Sequence, residues 1–200
     1  MTVRRTQEER RTETRGKLLD ATVQSLQDVG YGATTTRRVA ELAGVSQGAQ
    51  THHFPHRVDL VGAAVEQLAE QRLQALRASM RSLEGTPAER TGSFLDLLWA
   101  DFAGPLFTVF VKLWVAAADD PELYARLVPV ERALARDVAA FNDELLAEVP
   151  EIAPSAPRLI VVLDTMRGIA LSKSFEPRDR PGRDPWPAAR TVLLALLLPE

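Results

Sequence analysis

Gly30-Tyr-Gly-Ala-Thr-Thr-Thr-Arg-Arg-Val-Ala-Glu-Leu-Ala-Gly-Val-Ser46, followed after Gln47 by Gly48-Ala-Gln-Thr-His-His-Phe-Pro-His-Arg-Val-Asp-Leu60, is the stretch that decides the fold. Thr34-Thr-Thr36 offers N-cap hydroxyls for a short helix, Arg37 to Ala43, on which Val39 and Ala43 share a side. Gly44 falls where a tight turn needs positive φ, and Val45 returns to the core. Ser46 caps a second short helix, Gln47 to His53, which Phe54-Pro55 ends. Two helices of about two turns joined through a glycine turn form a helix-turn-helix, whose second helix enters the major groove of DNA. On that helix Gln50 and His53 lie on the side of Val45, toward the core, while Ser46, Gln47, Gly48, Thr51 and His52 face outward as a compact polar set suited to base edges and phosphates.

Outward from this stretch, helical periodicity recurs and strand signals are poor. Leu19, Val23 and Leu26 share a face from Lys17 to Val29, and Gly30 stops that helix. A long run after Pro55 carries Val61, Val65, Leu68, Leu76, Met80 and Leu83, and Gly85-Thr-Pro87 ends it. Further helices are expected over Ala88–Ala103, Pro105–Ala118 and from Asp119-Asp-Pro121 to about Val149. Pro150, Pro154 and Pro157 mark a linker, Arg158–Phe175 a helix, Glu176–Pro187 a loop, and Ala188–Leu198 a last apolar helix. The expected fold is all-α with about nine helices: a helix-turn-helix DNA-binding domain over 1–56 with an N-terminal basic arm, and a helical body over 57–200.

Composition limits the alternatives. The 200 residues hold 46 % hydrophobic and 26 % charged residues, enough apolar material for a core. No cysteine is present, which removes disulfides and thiolate chemistry and fits a reducing cytosol. MTVRRTQEERRTETRGK lacks the apolar run of a secretory signal, and its mixed acids speak against a transit peptide. The longest near-apolar stretch, Phe102–Ala118, is interrupted by Gly104, Pro105 and Lys112, so it reads as a buried helix rather than a membrane span. Net charge is −3, but residues 1–60 hold nine Lys/Arg against seven acids, leaving fifteen against twenty in the remainder. The mildly basic head has the sign required to meet phosphate.

The quoted stretch, with its caps, turn glycine, His-Phe pair and basic residue after Phe54 in register, resembles the DNA-binding head of the TetR family of bacterial repressors over about residues 12–62. The resemblance implies a homodimer on a double-stranded operator with an inverted repeat, a small-molecule inducer in the helical body, and dimerisation through the last two long helices. It implies that Thr35 is the N-cap threonine that approaches phosphate, beside Thr36 and Arg37, and that Arg57 takes the place of a phosphate-gripping lysine at the start of the fourth helix. Thr51 stands where the family has tyrosine, and Gln50 where an aliphatic residue is usual. Gln50 must therefore find a partner inside the head or tilt toward DNA.

Other residues carry two readings each. Arg4, Arg5, Arg10, Arg11 and Arg15 either track phosphate or, interleaved with Glu8, Glu9 and Glu13, form a solvated helix extension. His52 and His53 diverge by about 100° on a helix, so with His56 they make no metal site; neither metal nor cofactor is expected. Trp99, Phe102, Phe110, Trp114, Phe141 and Met166 are core by composition, and inducer-pocket candidates if the resemblance holds. Lys112 either snorkels or pairs with Asp164 or an anionic ligand, and Arg167 is a second polar candidate. The last helix, apolar nearly all round, needs cover, which Arg158–Phe175 and Ala188–Leu198 of two subunits would supply as a four-helix bundle. An enzyme is not expected, because the chain has no Glu-x-x-His pair, no Gly-rich phosphate loop and no Gly-x-Ser-x-Gly. The alternatives are a helix-turn-helix regulator answering to a protein partner and, more remotely, a helical-bundle enzyme. The cellular place expected is the bacterial cytoplasm, at the nucleoid.

Overall fold

A computed structural model describes residues 6–148, 156–173 and 182–198. Among these residues the chain forms nine α-helices and no strand: α1 (Gln7–Ala33), α2 (Thr36–Ala43), α3 (Gln47–His53), α4 (Arg57–Met80), α5 (Pro87–Phe102), α6 (Pro105–Ala118), α7 (Pro121–Glu148), α8 (Ala156–Lys173) and α9 (Trp186–Leu197). Arg4, Arg5, Pro150, Pro154 and the first half of the expected Glu176–Pro187 loop lie outside the described residues, and α9 takes up the last two residues of that loop.

Two helix ends differ from expectation. α1 starts ten residues before the apolar run, because Thr6 and Glu9 form a reciprocal cap: the Thr6 hydroxyl accepts from the Glu9 N–H at 3.2 Å and the Glu9 carboxylate from the Thr6 N–H at 2.7 Å. Arg10, Arg11 and Arg15 thus stand on a helix rather than on a free arm. α4 stops at Met80 rather than Leu83, the chain winding down through i+3 bonds from Ser82 N–H to the Ser79 carbonyl and Leu83 N–H to that of Met80.

The chain divides into two compact units: residues up to 70 with 109–134, and 71–108 with those from 135 on. This division runs through α4. Leu60, Ala63 and Ala64 of α4 pack with Leu18, Leu19, Ala21, Val39 and Phe54, flanked by Val23, Ala43 and Val45. Val61 and Val65, on the other side of the same helix, join Leu26, Val109, Leu113, Ala117, Leu123, Leu127 and Val130. The first half of α4 is therefore core to the head and to the α6–α7 corner at once.

The second unit is built on α5, α8 and α9, which pack on one another. Phe94, Leu95, Leu98, Leu159, Val162, Met166, Leu193 and Leu197 are buried. Asp96 ties α5 to α9, accepting from Trp186 Nε1 at 2.9 Å and from Arg190 Nε at 2.8 and 3.0 Å. Ile160 and Val161 on α8 and Val192 on α9 remain 63, 55 and 68 % exposed. Among the described residues no single helix is long and apolar enough to cross a membrane.

The turn between α2 and α3 is the most constrained part of the head. Gly44 sits at φ 66°, ψ 33°, its N–H bonded to the Glu41 carbonyl at 3.2 Å, while the Val45 N–H reaches the Ala40 carbonyl at 3.0 Å. A Cβ on Gly44 would meet nothing within 4 Å, so replacing it costs only backbone strain. Gly44→Ala should lower the free energy of unfolding by about 1–2 kcal/mol in urea titration.

Candidate nucleic-acid interface

Each element of the interface is set by a local cap. The Thr35 hydroxyl accepts from the Arg38 N–H at 3.1 Å and opens α2, and the Ser46 hydroxyl accepts from the Ala49 N–H at 3.1 Å and opens α3. Thr34 is buried and points inward: its hydroxyl meets that of Ser25 at 2.9 Å and donates to the Gly30 carbonyl at 2.8 Å. Arg38 Nε donates to Ser25 Oγ at 3.1 Å, closing a polar knot between the end of α1 and the start of α2. Gly30, at φ 73° and ψ 179°, gives α1 the break that this knot requires.

Ser46, Gln47, Gly48, Thr51 and His52 of α3 are all exposed, together with Thr35 and Arg37 of the preceding segment; Thr36 is half-buried. Gln50 faces the interior at 1 % exposure, and its polar atoms are satisfied there. Its Nε2 donates to the Phe54 carbonyl at 2.8 Å, and its Oε1 accepts from Gln47 Nε2 at 2.9 Å and from the Thr51 hydroxyl at 3.4 Å. Of the two courses the sequence left open for Gln50, the structure takes the partner inside the head.

Arg57 is not free at the start of α4. Its guanidinium carbon lies 4.0 Å from the centre of the Tyr31 ring, and its Nη1 donates to the Tyr31 carbonyl at 3.2 Å. The Tyr31 hydroxyl donates to Asp120 Oδ2 at 3.1 Å, and the other oxygen of Asp120 accepts from the Leu123 N–H at 3.0 Å, capping α7. Burial pushes the Tyr31 hydroxyl above its usual 10, the Asp120 carboxylate adding to the rise and the Arg57 charge opposing it. Asp120 is held below 3.8, first by the Leu123 N–H. Sequence reasoning missed Tyr31 and Asp120 because the two are 89 residues apart in the chain.

Arg15 lies over Phe54 at 5.5 Å, and with Arg11 it brings positive charge to His53. Burial first, then the charges of His52, Arg11 and Arg15, hold His53 below the 6.5 usual for histidine. His52 and His53 have ring centres 5.8 Å apart, and among the described residues no group of three or more His, Cys, Asp or Glu side chains is placed to hold a metal ion.

The ligand candidates fall in two places. Phe110 and Trp114 line a narrow slot with Val65, Leu113, Leu127, Val130, Glu131 and Leu134, with a cavity volume of about 10 Å³. Trp99, Phe102, Phe141 and Met166 belong to the second unit. There Trp99 stacks on Trp186 at 4.9 Å, Phe102 meets Phe107 edge-on at 5.4 Å, Phe141 is buried near Arg77, and Met166 is fully buried. Lys112 is exposed, and Asp164 pairs instead with Arg167 at 2.6 Å.

Two short capped helices around a left-handed glycine, with a polar face turned out from a buried platform, make this an all-helical protein with a helix-turn-helix head. Residues 18–71 match the family model of the bacterial regulatory proteins of the tetR family. The chain is 39 % identical over 120 residues to the HTH-type transcriptional regulator CymR of Pseudomonas putida, a match covering 60 % of this chain and 59 % of CymR. The multidrug binding protein EbrR complexed with ethidium is 27 % identical with a TM-score of 0.61, over 94 % of this chain and 99 % of EbrR. A TetR-family member from Streptomyces coelicolor A3 is also 27 % identical, with a TM-score of 0.63 over the same shares.

The lowered His53 has a consequence for stability. A histidine whose pKa falls on folding contributes stability that is present above 6.5 and is lost as pH drops through the folded-state value. The urea midpoint should therefore decline as pH is lowered from 7.5 to 5, before carboxylates such as Asp120 begin to protonate. His53→Gln should remove part of that decline.

Proposed function

We propose that the chain is a homodimeric transcriptional repressor that binds an inverted-repeat operator through α3 and is released when a small molecule enters its helical body. The observation that carries this is the outward set of Gln47, Gly48, Thr51 and His52, held by the Ser46 cap and by buried, hydrogen-bonded Gln50. Thr35, Thr36, Arg37, Ser46 and Arg57 flank it as phosphate contacts. Arg57 keeps donors to spare after its bond to Tyr31, since a guanidinium has five N–H groups. The exposed apolar side chains Ile160, Val161 and Val192 support a second copy docking on α8 and α9. Such a protein works in the bacterial cytoplasm, at the nucleoid.

Release follows from how α4 is shared. One face of α4 supplies Val65 to the slot beside Phe110 and Trp114, and its first residue, Arg57, is bound to the end of α1. The α6–α7 corner is fastened to the same region by the Tyr31–Asp120 bond and by Arg126, which reaches Glu66 at 3.0 Å and Asp59 at 3.6 Å. Ligand pockets usually measure about 300–1,000 Å³, so a ligand entering the narrower slot must part its walls and move α4. Phe110 and Trp114 are its proposed contacts. Two recognition helices must lie about 34–36 Å apart to enter successive major grooves. The ligand lowers DNA affinity to the extent that it prefers the wrongly spaced state. The multidrug binding protein EbrR, solved with ethidium, supports a small-molecule role for this body.

A footprint of the full chain on genomic fragments, at two salt concentrations and with competitor DNA, tests the reading. Protection of an inverted repeat that survives competitor is expected; no protection at low salt would overturn it. Arg57→Ala should weaken binding to operator and unrelated DNA alike, and reduce the slope of log affinity against log salt by about one.

A further inference from the structure

The interior of the head fixes which atoms of α3 are left for DNA. The Phe54 backbone carbonyl can only accept, so the Gln50 atom 2.8 Å from it is the amide nitrogen. Gln50 Oε1 must then face the other way, and the Gln47 atom 2.9 Å from it must be a donor, the Gln47 Nε2. The second N–H of that nitrogen lies toward Thr36 Oγ1 at 3.4 Å. Both donors of Gln47 are thus used within the protein, and its carbonyl oxygen is what remains. The Thr51 hydroxyl also donates to Gln50 Oε1, at 3.4 Å, which leaves Thr51 with lone pairs outward.

A glutamine that reads adenine in the usual way donates to N7 and accepts from the N6 amine. Here the donating half is spent. Resting on the operator-binding function above, we propose that Gln47 meets DNA as a hydrogen-bond acceptor alone, and that buried Gln50 is the positioning residue that imposes this polarity. Each half-site then carries, opposite Gln47, a base with an exocyclic amine in the major groove, adenine or cytosine. Guanine and thymine, which offer acceptors on the groove edge facing the side chain, are disfavoured there. Gln50, in place of the aliphatic residue usual at this position, acts through Gln47 and touches no base.

The test is selection of duplexes from a random pool by the full-length protein, by Gln47→Ala and by Gln50→Leu, with Gln50→Met, of equal side-chain length, used if the leucine variant loses its helical circular dichroism. The wild type should enrich A or C at one position per half-site that Gln47→Ala leaves indifferent. Gln50→Leu should admit G or T at that position, with the preference falling about tenfold, while binding to unrelated DNA and its salt slope stay unchanged. Base analogues sharpen the result. Where adenine is selected, 7-deazaadenine should bind within about twofold and purine, which lacks the amine, about tenfold weaker; where cytosine is selected, pyrimidin-2-one should show that loss. A Gln47-dependent preference for G or T, equal losses with 7-deazaadenine and purine, or an unchanged preference in Gln50→Leu would overturn the proposal. A pool in which nothing is enriched overturns the operator-reading function and the polarity with it, whereas an enriched operator with no Gln47-dependent position overturns the polarity alone.

Discussion

Helices of eight and seven residues do not persist in water by themselves, because nucleation is costly and few hydrogen bonds offset it. The outward polar face of α3 exists because the Gly44 turn, the Thr35 and Ser46 caps and a shared core hold two such helices in one arrangement. Val39 and Phe54 close that core from α2 and from the end of α3, against Leu18, Leu19 and Leu60. Gln50 adds a polar tie that an aliphatic side chain would not make. Its amide nitrogen donates to Phe54 and its oxygen accepts from Gln47 and Thr51, so both polar atoms have a partner in the interior and α3 is bound to its own C-terminal turn. The outward side chains are thereby presented from a supported base.

The same economy links head and body within the first unit. α4 supplies Leu60, Ala63 and Ala64 to the head and Val61 and Val65 to the α6–α7 corner, so a displacement of either side is felt by one rigid rod. Polar ties reinforce the apolar ones: Arg57 on Tyr31, Tyr31 on Asp120, and Arg126 across Asp59 and Glu66. A Cβ on Gly62 would come within 2.7 Å of the Arg126 side chain, so the glycine gives the arginine its path along α4. Exposed pairs of this kind add little stability singly. Their value here is directional, since they tie the start of α7 to the residues next to the recognition unit.

Much of this was legible in the residues. Periodicity placed the helices, because each buries one stripe of apolar side chains, and Gly44 and Ser46 declared themselves through backbone conformation and capping chemistry. The outward face of α3 followed from helical geometry, while the course of Gln50 stayed open between the interior and DNA. What escaped depends on contacts distant in sequence or on signals weaker than an apolar stripe. The early start of α1 rests on Thr6 and Glu9, a capping pair with no hydrophobic run beside it. The partner of Gln50 is a backbone carbonyl, which every residue carries, so nothing in composition marks it. The seat of Arg57 on Tyr31 joins residues 26 apart, and the family resemblance alone pointed Arg57 at phosphate. That α4 serves two cores is visible only when its faces are assigned partners.

The most direct test is equilibrium binding of the wild type and a Gln47→Ala/Thr51→Ala double variant to the selected operator and to a scrambled duplex of equal length, in one buffer and salt. If α3 reads sequence and the flanking residues only position it, the variant's affinity for the operator falls to that for the scrambled duplex, while its affinity for the scrambled duplex stays at the wild-type level. An operator preference that survives the double substitution, or an equal loss on both duplexes, would contradict the assignment of sequence reading to the outward face of α3.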